Sequence, residues 1–108
     1  MDKHTITING LTKLTFNKYN HLHWSKKKKF KDNIRLLLLS TTKNRFKGGY
    51  NLNFEFTFIG RKLDTINVTH YCKIIEDFLF KQDKDNRQIT INVKKGIENK
   101  CILKMTKP

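Results

Sequence analysis

Residues 50–59 read YNLNFEFTFI, and this stretch decides the fold. Tyr50, Leu52, Phe54, Phe56 and Phe58 alternate with Asn51, Asn53, Glu55 and Thr57. Side chains of an extended strand point to opposite faces with a period of two. The stretch is therefore the clearest strand in the chain, with one face buried. A strand with four or five large apolar side chains on one face needs a layer of other elements to cover them.

The flanking sequence supplies that layer. Upstream, Ser25 is a good N-cap, and Phe30, Ile34, Leu37 and Leu38, with Thr41, follow an i, i+4, i+7, i+8 stripe. Lys26, Lys27, Lys28, Lys29, Lys31 and Arg35 cover the rest of this helix. Downstream, residues 60–67 form a turn. A second helix is expected from about residue 67 to residue 81, with Val68, Cys72, Ile75 and Leu79 at helical spacing and Tyr71, Ile74 and Phe78 widening the apolar face. Residues 4–9 are β-branched and alternate, so they form a first strand. Residues 10–24 have no clean period and read as a loop. Ile89, Ile91 and Val93 mark a strand over residues 88–94. Residues 100–105 form a last one, expected to pair with it as a hairpin. The order β-α-β-α-β-β predicts an α/β (α+β) two-layer sandwich: one domain over residues 1–108, with a mixed sheet and both helices on one face.

The chain carries 23 Lys and Arg against 9 Asp and Glu, a formal charge of +14. The excess is uneven. Residues 1–50 hold twelve cations against Asp2 and Asp32, a net of +10, and residues 51–108 hold eleven against seven, a net of +4. Such an excess on a small domain points to a polyanionic partner, with nucleic acid ahead of an anionic membrane surface. Cys72 and Cys101 lie in no CxxC pair and read as buried thiols of a reducing compartment. The N-terminus shows no apolar signal region, and the longest aliphatic run, residues 36–39, is too short to span a bilayer.

Two blocks carry chemistry. The first is LTFNKYNHLHWSKKKKFKDNI, residues 14–34. Here Lys26, Lys27, Lys28 and Lys29 follow His21, His23 and Trp24, a pattern that suits phosphate binding beside stacking aromatics. A solvated helix face, with Tyr19 and Trp24 in the core, is the plainer alternative. His21 and His23 without further ligands do not make a zinc site. The second block is LDTINVTHYCKIIEDFL, residues 63–79, followed by DKDNRQI, residues 83–89. Asp64 reads as a metal ligand, as a cap of the second helix, or as an ion-pair partner of Arg61 or Lys62. Asp83 and Asp85 read as ligands or as ordinary turn residues, and Lys73 and Asp77 as an i, i+4 ion pair.

Together these blocks resemble the RusA-type Holliday-junction resolvases, with a degenerate acidic site. The resemblance covers nearly the whole chain. In that family the second block reads Asp-x-Asp-Asn, then a helix with a Lys and an Asp one turn later, then an Asp-Asp pair before the next strand. Asp64 and Asn67 match the first element, Lys73 and Asp77 the helix, and Asp85 the later pair. Ile66 replaces the second acid, and Lys84 replaces the first Asp of the pair. A second register puts Asn86 at the last acid position and leaves Asp64 alone.

The resemblance implies a phage- or prophage-encoded homodimer acting in the bacterial cytoplasm in DNA recombination and repair. It implies that Asp64 and Asp85 hold Mg²⁺, with Lys73 assisting at the phosphate. DNA contacts would come from Asn17, Lys18, Tyr19, His23 and the four lysines, and from Arg61 and Lys62 beside the acid. Mg²⁺ polarises a phosphate and lowers the pKa of an attacking water, and it needs one or two carboxylates to stay bound. Ile66 can hold neither metal nor water, so the expected nuclease is weak. The alternative is an inactive relative that binds branched DNA or a protein partner. Asp64 and Asp85 are expected within about 4–7 Å of each other if they share a cation. The apolar strand over residues 50–58 and the C-terminal hairpin are the candidate dimer surfaces.

Overall fold

The computed structural model describes residues 2–42, 45–61, 63–81 and 86–107. The elements are β1 (Asp2–Asn9), α1 (Phe16–Asn20), α2 (Trp24–Thr41), β2 (Asn51–Ile59), a 3-10 turn (Thr65–Val68), α3 (Thr69–Leu79), β3 (Ile89–Gly96) and β4 (Lys100–Lys107). They form a mixed four-stranded sheet with helices packed on one face, the α+β sandwich that the sequence predicts.

β2 lies inside the sheet, between β4 and β3. Its Leu52, Phe54, Phe56 and Phe58 are buried, and the phenyl rings stack 6.1 Å apart along the strand. Phe30, Ile34 and Leu38 of α2 cover this surface, together with Val68, Tyr71, Ile75 and Leu79. Ile6 and Ile8 of β1 and Cys101, Leu103 and Met105 of β4 complete the same core. Both cysteines are free and buried. The outer face of the sheet stays polar, with Glu55 paired to Lys104 across strands at 3.3 Å.

Four expectations are corrected. Residues 10–24 are not all loop: α1 forms there, and Thr15 caps it by accepting a hydrogen bond from the Lys18 amide. α2 starts one residue before Ser25, and its N-cap is His23, whose ring accepts from the Ser25 amide. Thr41 is exposed rather than part of the stripe, and its hydroxyl donates to the Leu37 carbonyl. Finally, β3 and β4 do not pair as a hairpin. β2 runs parallel to β3 and antiparallel to β4, so it separates them.

The physical reason for the last correction is burial. A β3–β4 hairpin would push β2 toward an edge and expose its phenyl rings, at roughly 25 cal/mol per Å² of apolar surface. Instead, residues 97–99 step over the end of β2. The Asn99 side-chain oxygen accepts from the Ile59 amide at 2.8 Å, and its backbone carbonyl accepts from the Gly10 and Leu11 amides. Gly96 makes this crossing possible, because a Cβ there would lie 2.3 Å from the Thr57 methyl. For the same reason β2 offers no apolar dimer surface: its rings are already covered by this chain's own helices.

Tyr71 pins the segment before α1 to α3. Its hydroxyl accepts from the Leu14 amide at 2.8 Å and donates to the Thr12 carbonyl. Burial pushes its pKa up to about 12, so it stays protonated and able to donate. Tyr71→Phe leaves both backbone groups without their partner. It should cost about 2 kcal/mol in urea unfolding, with no change in the buried ring packing.

Candidate nucleic-acid interface and acidic cleft

α2 presents two different faces. Phe30, Ile34 and Leu38 point inward. Lys26, Lys28, Lys29, Lys31 and Arg35 are exposed, and Lys27 is half-buried with its ammonium 5.6 Å from the centre of the Tyr19 ring. The one acid on α2, Asp32, pairs with Arg35 at 3.6 Å. The first turn holds no acidic residue. Helix dipoles favour anions at this end, so a run of lysines here opposes helix stability and favours an external anion. Trp24 is 72% exposed beside His23, whereas Tyr19 is buried against Phe30 and His70. Of the two aromatics, Trp24 stands open to solvent, whereas Tyr19 is reached only through the pocket it lines between the helices. Asn17 and Lys18 are exposed on α1. His21 and His23 are engaged locally: the His21 Nδ1 contacts the Asn17 carbonyl at 2.7 Å and the His23 Nδ1 contacts the Ser25 hydroxyl at 2.9 Å.

The acidic block is built differently. Asp64 lies at the N-cap position of the 3-10 turn, but its side chain makes no capping hydrogen bond. It borders an open cleft of about 250 Å³ with Lys13, Thr15, Arg61, Leu63 and Asn67. The Lys13 ammonium donates to the Ile59 carbonyl at 3.1 Å and to the Arg61 carbonyl. Lys13 has no signal in the sequence, because its place in this cleft is set by the packing of the segment before α1 against the end of β2. Ile66 is 69% exposed, so it is not core.

Asp85 and Lys62 lie outside the described residues. Asn86, the alternative for the last acid, is a structural residue, and its side-chain oxygen accepts from the Tyr50 amide at 3.1 Å. Asp64 follows the other end of the same strand. β2 spans nine residues, Asn51–Ile59, about 30 Å at roughly 3.3 Å per residue, and the two follow its opposite ends. The cause is topology. In a parallel β2-α3-β3 unit, the segments leaving β2 and entering β3 lie at opposite ends of the sheet. Asp64 and Asn86 of one chain therefore do not meet.

Lys73 pairs with Asp77 at 3.0 Å and lines a different pocket, between the helices, rather than the Asp64 cleft. Among the described residues there is no group of three His, Cys, Asp or Glu side chains placed to hold a metal. The Asp64 cleft offers, among the described residues, one carboxylate, with Lys13 and Arg61 beside it. Among the described residues no helix is long and apolar enough to cross a membrane. Comparisons with known protein families, with curated proteins and with solved structures find no match to this chain.

Proposed function

We propose that this chain binds DNA through the outer face of the N-terminal half of α2, with branched DNA as the preferred form. The observation that carries the reading is the exposed set Lys26, Lys28, Lys29 and Lys31 in the N-terminal half of α2, with Lys26 in the first turn, where the helix itself favours anions. Phosphates laid there meet both ammonium groups and the positive end of α2. Arg61 and Lys13 extend the positive surface at the Asp64 cleft. The resemblance to RusA-type resolvases supports four-way junctions as the substrate class. Among the described residues Asp64 is the one carboxylate at that cleft, which favours binding without efficient cleavage.

Fluorescence anisotropy on a labelled four-way junction and a matched duplex tests this. Binding should weaken steeply with salt, with a log–log slope of about −4 for four to five neutralised phosphates. The junction should remain intact after incubation with Mg²⁺ or Mn²⁺. No binding at low salt would overturn the reading, and Mg²⁺-dependent cuts at the junction would overturn its non-catalytic part.

A further inference from the structure

Between α1, α2 and α3 lies an open pocket of about 300 Å³, at the small end of ligand sites. We propose that it receives an unpaired nucleobase from a DNA strand held on α2. The inference rests on the DNA-binding reading above and names what that surface selects.

The walls are aromatic. Phe16 and Tyr19 of α1 stand 6.0 and 5.1 Å from the His70 ring of α3, and Tyr19 is nearly parallel to it. Aromatic faces stack any base regardless of sequence. His70 supplies the second, independent observation. It is 3% exposed, and neither ring nitrogen reaches a partner in hydrogen-bond geometry among the described residues, although the Leu14 backbone lies close by. A neutral imidazole has one donor and one acceptor. The edge of an extruded base offers the complementary pair. Phe16, 37% exposed, lines the same pocket and offers a face on which a base can stack.

The surroundings select a base rather than a phosphate. Asp77 and Ile74 line the same pocket, and the Asp77 carboxylate pairs with Lys73, which leaves Lys31 as the one lining cation without an acid beside it among the pocket's described residues. Lys31 borders the pocket, and Lys27, one helical turn before it, lies over the Tyr19 ring. A backbone whose phosphates follow this side of α2 passes the mouth of the pocket, and an unstacked base can turn in. Extrusion is least costly where a base already lacks a partner, so the pocket would favour bulges and branch points over intact duplex.

The test uses three labelled DNAs: an intact duplex, the same duplex with a one-base bulge, and the same bulge made abasic. Wild-type protein should prefer the base bulge to the abasic bulge about tenfold, the range of one stacked base. Phe16→Ala should bring that preference close to one while leaving the affinity for intact duplex unchanged. His70→Phe, which keeps the ring and removes both nitrogens, should weaken the preference in part. With 2-aminopurine in the bulge, wild type should change its fluorescence on binding and Phe16→Ala should not. Equal binding of the base and abasic bulges by wild type would overturn the pocket alone. So would a Phe16→Ala variant that kept the preference. Failure to bind any of the three DNAs would overturn the DNA-binding reading and the pocket with it.

Discussion

A variant with Lys26, Lys28, Lys29 and Lys31 changed to alanine should bind DNA a hundred- to thousandfold more weakly, an order-of-magnitude expectation at about 0.1 M salt. Each lysine that neutralises a phosphate adds about 0.9 to the salt slope, so the slope should shrink by about 3 to 4. The fold should survive. All four positions are exposed and off the stripe made by Phe30, Ile34 and Leu38. Alanine is also the best helix former, and removing cations from the positive end of α2 relieves an unfavourable dipole interaction. The melting temperature should therefore hold or rise slightly while binding collapses. Retained affinity in the variant, at a salt where wild type binds, would show that α2 is not the DNA face.

Acid should destabilise the protein before its surface carboxylates are fully protonated, and His70 should be a main cause. Burial lowers its pKa from 6.5 to about 4, and the nearby Leu14 backbone offsets part of this without reaching hydrogen-bond geometry. The ring is enclosed by Tyr19 and Phe16 of α1, Phe30 of α2 and Tyr71 of α3, while Lys31, Lys73 and Asp77 border the same pocket. The folded state thus holds His70 neutral where the unfolded chain would bind a proton. Its contribution is complete above pH 6.5 and is lost as the pH falls from 6.5 through 4. A shift of this size corresponds to about 3 kcal/mol, or about 2 after discounting for solvent screening around the pocket. His70→Phe should remove that part of the pH dependence. Urea midpoints of wild type and variant between pH 7 and pH 4 would decide it: parallel curves would exclude His70 as the source.

Much of the fold is legible because period carries it. The alternation of Leu52, Phe54, Phe56 and Phe58 and the stripe of Phe30, Ile34 and Leu38 each state which side is buried, and both are buried as stated. Charge is equally local, so the basic side of α2 follows from its helical register. His70 had a signal too: it precedes Ile74 by one helical turn and so shares that side of α3.

Pairing partners are different, because no local pattern specifies which strand lies beside which. β3 and β4 are neighbours in sequence but not in the sheet, since only a position between them gives the phenyl rings of β2 a fully enclosed surface. α1 forms where no period announced a helix: its one inward residue is Tyr19, and a single buried side chain leaves no repeat to read. The acidic block shows the limit most clearly. The RusA-type resemblance implies that Asp64 and a later acid position share one site. The parallel path of β2, α3 and β3 then sends the described end of that block, Asn86, to the far end of the strand. The sequence determined which side of each long element is apolar and where positive charge gathers, because both follow from short-range periodicity. The tertiary structure decided strand neighbours, the place of Lys13 beside Asp64 and the enclosure of His70, because these depend on segments distant in the chain meeting around one core.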